Sequence, residues 1–376
     1  MKKIYFLIII LALVVFFSSC KNKKIKTGEG EIIPNKYATG FEIQEISEGY
    51  ILKVKNRFDQ NNNGTYNYLL SSDVESKSNS NVIINIPVSK VVCLSTSHSA
   101  FISALNMTPS IKGISTPELI YDLEISKLYK QGEIHNIGYD NQINYEKILA
   151  ISPDVVFAFG VDNTSTSSFQ KLIDLGIPVV FVNDFTEANP LGRSEWIKFF
   201  ACFYDRLNFA CEYFDSLENK YINIKSSIPE NDEKPKVLVS LPWKGIWWVP
   251  GGDSYFANFI KDAGGEYIFK NNSQSDSQNL SIEEVFTLAN NIDFWLNPNN
   301  VNSKTEILSI DNRLEYFEPY KSAKIYNNNL RKNNAGGNDF WESGILNPDK
   351  ILLDLKTIFY PDTTNTYSLY YYKSIN

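Results

Sequence analysis

The sequence predicts an α/β protein of two lobes, each built on a mainly parallel sheet, joined by one long rigid helix. Three observations carry that prediction. Strands alternate with helices from Pro87 to Phe359, a grammar that covers both faces of a parallel sheet. A helix, turn and buried strand at Ile143–Gly160 (INYEKILAISPDVVFAFG) return in a weaker copy at Leu280–Pro298 (LSIEEVFTLANNIDFWLNP). Between the copies, Ser194–Ile228 reads as helix almost throughout: Leu207, Ala210, Phe214, Leu217, Tyr221, Ile224 and Ile228 follow steps of three and four with no Pro or Gly between them. From Asp205 to Ser227 such a helix would run roughly 33 Å, enough to cross two lobes. A length of 376 residues suits two lobes of roughly 100–200 residues each.

In order along the chain, Lys2 and Lys3 precede the apolar run Ile4–Phe17, which ends in Ser18-Ser19-Cys20. A basic start followed by an apolar core too short for a comfortable membrane span predicts a cleaved secretory leader. Lys21 to about Pro34 is a polar tether. Phe41–Lys55, with its turn at Ser47-Glu48-Gly49, predicts a hairpin, and Thr65–Leu70 a further strand. The β–α grammar then supplies strands at Val91–Leu94, Ile111–Ile114, Val155–Phe159 and Val179–Val182, with helices at Ala100–Leu105 and Phe169–Leu175. After the connector come strands at Val237–Leu241, Trp247–Val249, Phe294–Leu296 and Lys324–Tyr326, and helices at Tyr255–Ala263 and Lys350–Phe359. The Tyr-rich tail after Pro361 receives no assignment.

Charge and motifs exclude several functions. The net charge of −7 becomes −9 once Lys2 and Lys3 leave with the leader, which argues against a nucleic-acid partner. Two histidines, His98 and His135, are too few for a transition-metal centre built on imidazoles. No HExxH, GxSxG or phosphate-loop motif is present. Ser95, Ser97 and His98 lie together without an identifiable third triad member. Asp59–Gly64 lacks the glutamate that would complete a calcium loop, Leu70 standing there instead. No catalytic constellation survives, so the protein is not expected to be an enzyme and no resident cofactor or metal is expected. Cys93, Cys202 and Cys211 are expected as buried free thiols.

Several stretches in this order resemble class III periplasmic binding proteins, the ABC-importer receptors for ferric siderophores, haem and cobalamin. They are KVVCLSTSHSAFISALNM, NYEKILAISPDVVFAFG, GIPVVFV, AGGEYIF, LSIEEVFTLANNIDF and NDFWESGILNPDKIL. The resemblance covers roughly Pro87–Phe359. It implies two Rossmann-like lobes with the ligand cleft between them, and a single stiff helix that permits little closure. Ser18-Ser19-Cys20 resembles a bacterial lipobox, implying lipidation at Cys20 and an extracytoplasmic, membrane-anchored protein. The resulting division is 1–19 signal peptide, 20–34 lipidated tether and 35–204 N-terminal lobe with a β-hairpin extension. It continues as 205–228 interlobe helix and 229–376 C-terminal lobe.

The same resemblance implies a permease dimer with a cytoplasmic ATPase as partner, and a monomeric receptor that docks through one glutamate per lobe. The matching residues are Glu146 and Glu283, with Glu284 beside the second. Loops after the carboxyl ends of the strands should face the cleft. They offer Ser97, His98, Gly160 and Asp162 from the first lobe, and Trp243, Trp247, Arg331, Lys332 and Trp341 from the second. The tryptophans would stack on a planar or macrocyclic ligand and the cations would take carboxylate or phosphate. Trp248, alternating with Trp247, is assigned to the core. His98 either caps the helix after the first strand or ligates a ligand metal. The ligand is expected to be a metal chelate containing iron (ferric siderophore or haem) first, a cobalt corrinoid second. A surface lipoprotein binding glycan or protein is the reading from another class.

Overall fold

A computed structural model describes residues 30–56, 64–72, 82–139, 142–160, 163–272, 276–289, 291–362 and 366–376. The expected leader, Cys20, most of the tether and Asp162 lie outside the described residues. Among those residues no helix is long and apolar enough to cross a membrane.

The chain opens with a five-stranded sheet, larger than the expected hairpin. Strands β1 (Glu31–Ile33), β2 (Phe41–Ile46), β3 (Gly49–Lys55), β4 (Thr65–Ser71) and β5 (Val82–Asn85) lie in sequence order, antiparallel except for the parallel β4–β5 pair. Alternation in β2 turns Phe41 and Ile43 into the main core, while Ile46, of opposite parity, packs with Ile51 and Leu69 in a small separate cluster.

The first parallel sheet follows: β6 (Val91–Cys93), α1 (Thr96–Ala104), β7 (Ile111–Ile114), α2 (Leu123–Lys130), β8 (His135–Asn136), α3 (Tyr145–Ile151), β9 (Val155–Ala158), α4 (Asn163–Asp174) and β10 (Val179–Phe181). Its strand order is β10-β9-β6-β7-β8. Every residue of β6, β9 and β10 is buried, as expected for strands covered on both faces.

Ser194–Ile228, expected as helix almost throughout, is two helices, of which the second coincides with the expected 205–228 connector. Helix α5 (Pro190–Cys202) ends before a turn in which Asp205 adopts a left-handed φ of 54°, and α6 (Leu207–Ser226) begins anew. Continuity of side-chain pattern concealed this break, because the turn contains neither Gly nor Pro and its Phe203 and Tyr204 are buried like helical core residues. Helix α6 spans 20 residues, about 30 Å. Helix α5 is almost wholly buried, and its Phe199 and Phe200 belong to one continuous core that reaches from β2 to the C-terminal helix.

The second lobe comprises β11 (Lys236–Val239), β12 (Pro242–Trp243), β13 (Ile246–Val249), α7 (Tyr255–Asp262), β14 (Glu266–Tyr267), β15 (Gln278–Ser281), α8 (Ile282–Leu288), β16 (Phe294–Leu296), α9 (Lys304–Leu308), α10 (Glu318–Lys321), β17 (Ile325–Asn327), α11 (Pro348–Phe359) and β18 (Lys373–Ser374). Its main sheet runs β14-β11-β16-β17-β18, and β12-β13-β15 form a small antiparallel sheet beside it. The unassigned tail thus supplies the edge strand β18, antiparallel to β17. Buried Asp354 of α11 gathers it: its carboxylate accepts from Tyr367 Oη at 2.6 Å and from the backbone N–H groups of Tyr370, Tyr371 and Tyr372 at 2.8, 2.7 and 3.1 Å.

Two buried carboxylates fix the N-terminal sheet to this body. Glu195 accepts from the N–H groups of Lys36, Tyr37 and Ala38 at 2.9, 2.8 and 2.8 Å, and from Lys198 Nζ at 2.7 Å. Glu187 accepts from the N–H groups of Thr39 and Gly40 and from Trp196 Nε1. Five successive backbone donors satisfying two buried anions compensate the cost of desolvating them.

Candidate ligand cleft

Between the lobes lies a cavity of about 1480 Å³, larger than the usual 300–1,000 Å³ of a drug-sized site. Strand ends build much of it. After β10 come Phe185–Ala188, after β11 Ser240 and Trp243, after β16 Asn297, Asn299 and Asn300, and after β17 Asn328. Exposed aromatic faces stand on its wall: Trp243 at 62 %, Trp341 at 47 % and Trp248 at 45 % accessibility. Such exposure of indoles around a concavity is costly in water and suits a flat apolar partner.

The small sheet reverses the expected roles of two neighbours. In β13 burial alternates, so Trp247 is fully buried and Trp248 faces the cavity. Trp247 donates its indole N–H to Val239 O at 3.0 Å and lies against Trp295 and Phe317. The period of two was legible; its phase was set by the β12–β13 hairpin folding back over the end of β11.

His98 is likewise corrected. Ser95, not His98, caps α1, accepting from Ser97 N at 3.3 Å. His98 therefore occupies the first turn of α1 and points into the core, wholly buried beside Phe157, Phe159 and Phe200. Among the described residues neither ring nitrogen has a hydrogen-bond partner. Burial lowers its pKa to about 4, keeping the ring neutral and out of reach of a ligand metal. Ser97 and Gly160 are buried and are not part of the cavity lining.

Arg331 is held elsewhere. Its Nε donates to Asp339, and its guanidinium lies between the rings of Tyr121 and Tyr370. It thereby belongs to a seam between the lobes. There Glu342 accepts from Tyr121 N and Asp122 N, both at 2.7 Å, and Asn333 Nδ2 donates to Glu118 O and Ile120 O. Gly337 passes so close that a Cβ would strike the Leu119 carbonyl. Burial raises the Glu342 pKa to about 7 against the opposing pull of its two N–H donors. Among the described residues the cations that do line the cavity are Lys55 and Arg193. Neither was expected there: Lys55 because its strand precedes the β–α region, and Arg193 because it stands just ahead of the stretch expected as helix from Ser194.

The two acidic helices differ. Glu146, in the first turn of α3, is exposed and has no ion-pair or hydrogen-bond partner among the described residues. Glu283 of α8 is exposed but pairs with Arg313 Nη1 at 2.7 Å, which lowers its pKa. Glu284 closes a capping box with Ser281.

Two α/β lobes share a core, and an aromatic-walled cleft lies between them. The chain belongs to the periplasmic binding protein family, whose sequence profile matches residues 91–312. It is 29% identical over 290 residues to an uncharacterized lipoprotein of Methanocaldococcus jannaschii, spanning 74% of this chain and 67% of that protein. In structure it is similar to a possible iron-binding periplasmic solute-binding protein from Staphylococcus epidermidis, with TM-score 0.57, 19% identity and coverage of 73% and 99% of the two chains. It is also similar to the periplasmic heme-binding protein HutB of Vibrio cholerae, with TM-score 0.57, 18% identity and coverage of 72% and 99%.

Proposed function

We propose that this protein is the extracytoplasmic, lipid-anchored receptor of an ABC importer, capturing an iron complex (a ferric siderophore or haem) and presenting it to a membrane permease. The observation that carries the reading is the cleft itself: a cavity of about 1480 Å³ between two lobes with Trp243, Trp248 and Trp341 exposed along it. Its size exceeds what a sugar or amino acid needs, and its aromatic lining offers broad stacking surfaces to a large flat or macrocyclic chelate. Membership of the periplasmic binding protein family and the lipoprotein relative support the setting.

In this reading the receptor binds and hands over, and any metal belongs to the cargo. Glu146 and Glu283 dock onto cations of the two permease subunits, giving a two-point ionic register. Titration of purified protein with haemin, ferrichrome and cyanocobalamin, read by tryptophan quenching and absorbance, tests it. Saturable quenching by an iron complex, reduced in Trp248→Ala, is the expected result. Saturation by cyanocobalamin alone would move the assignment to corrinoids. No change with any of the three would remove the metal-chelate class.

A further inference from the structure

The family profile begins at residue 91, yet Lys55, Asn56, Gly64 and Thr65 of the N-terminal sheet line the ligand cavity. This sheet is built in. Its backbone at 36–40 is held by Glu187 and Glu195, and Glu187 itself lines the cavity. At the cavity edge Lys55 N donates to Gly40 O at 2.9 Å, Lys55 O accepts from Asn183 Nδ2 at 2.9 Å, and Phe181 N donates to Tyr68 Oη at 2.9 Å. The sheet therefore meets the end of β10 through both backbone and side chain, and the lysine is carried on a fixed base.

Two cations line this cavity among the described residues. Lys55 is exposed and its ammonium has no acidic or hydrogen-bonding partner among the described residues. The residue after Asn183 is Asp184, whose buried carboxylate lies 3.5 Å from Arg193 Nε. The Arg193 guanidinium rests on the Tyr255 ring, 5.0 Å from its centroid. Asp184 is its one ion-pair partner among the described residues, and their separation is long for a charge-assisted hydrogen bond. The pair so placed leaves donors for a further anion. A planar guanidinium edge matches the two oxygens of a carboxylate, and a lysine ammonium adds a point charge.

We propose that the N-terminal sheet is part of the ligand-binding apparatus: Lys55, which precedes the stretch matched by the family profile, forms with Arg193 a carboxylate subsite on the wall of the cleft. The cargo is then a planar or macrocyclic chelate that also carries a peripheral carboxylate. This rests on the importer-receptor reading and narrows its substrate class.

The test compares haemin with haemin dimethyl ester, which keeps the ring and removes the carboxylate charges. Wild-type protein should bind haemin at least about tenfold tighter than the ester. In Lys55→Gln and Arg193→Gln that preference should fall to within about twofold while ester affinity stays unchanged, and Arg193→Lys should retain part of it. Lys55→Gln, a surface change, keeps the test informative if Arg193→Gln unfolds for want of a partner to Asp184. Loss of the preference in Lys55→Gln supports the proposal whatever Arg193→Gln does. Equal affinity for the two probes in wild type, a preference retained by both variants, or one lost only in Arg193→Gln would overturn it. Binding of ferrichrome or cyanocobalamin without haemin would overturn the subsite and leave the receptor reading standing. Silence with all four would remove both.

Discussion

The two lobes carry the same helix–turn–strand unit and treat its acid in opposite ways. In the N-terminal lobe Glu146 stands exposed with no described partner, one residue past the start of a helix capped by Asn144. In the C-terminal lobe Glu283 is already engaged by Arg313, and Glu284 is committed to the capping box. Equivalent positions in a repeat are therefore not equivalent charges. If both glutamates dock on a permease, Glu146 offers a bare charge, while Glu283 must exchange one arginine for another.

The largest effect should come from removing both sides of that comparison. Glu146→Lys with Glu283→Lys should abolish uptake in reconstituted vesicles and leave ligand affinity within about twofold, since neither residue lines the cleft. Loss of affinity would undo the docking assignment. The single reversals separate the lobes: Glu146→Lys should be the more damaging, and the reverse order would mean that the Arg313 pair is the docking epitope.

The lobes also differ in their buried titratable groups, with opposite consequences for pH. Glu342 has a folded pKa raised to about 7. Its protonation stabilises the fold fully below the unfolded value of 4.5, and that stabilisation is lost as pH rises through about 7. His98 has a folded pKa lowered to about 4. The stability of its neutral form is present above the unfolded value of 6.5 and lost as pH falls through about 4. Between about pH 4.5 and 7 the Glu342 contribution should thus fall by up to about 3 kcal/mol, against an opposing rise from His98, and denaturant melts of Glu342→Gln beside wild type should lack that fall. An unchanged slope in Glu342→Gln would place the titration elsewhere.

Smaller effects probe the second helix. Glu284→Ala should remove the N3 half of the capping box, seen as a slightly lower melting temperature with uptake retained. Loss of uptake at unchanged stability would transfer docking from Glu283 to Glu284. Smallest of all, Arg313→Ala should free Glu283 and change uptake by no more than about threefold, because an exposed ion pair is weak.

Much of the fold was legible because its signals are periodic. Strands β6, β9, β10 and β16 are uninterrupted apolar runs, and α3 and α8 sit where the two copies predicted. What failed depended on information the local pattern lacks. The break at Asp205 occurs in a stretch with no Gly or Pro, and the phase of Trp247 and Trp248 is decided by a hairpin partner. His98 looked polar and available in a loop, but Ser95 started the helix early and turned the imidazole inward. Arg331 looked like a cleft cation until tertiary contact gave it Asp339. Lys55 and Arg193 reach the cavity only through long-range packing of the first sheet on α5, which no local window records.

The tail that closes the second sheet has a bearing on biogenesis. Asp354 is buried and its donors, Tyr367 and Tyr370 to Tyr372, lie 13 to 18 residues further along the chain. During synthesis α11 emerges before them, so the helix can form before its buried carboxylate has these donors. The second lobe thus stays incomplete until they have followed, and a chain cut before Tyr367 would leave that carboxylate without these hydrogen bonds in its core. Closure of the second sheet is in this way tied to the segment that satisfies α11.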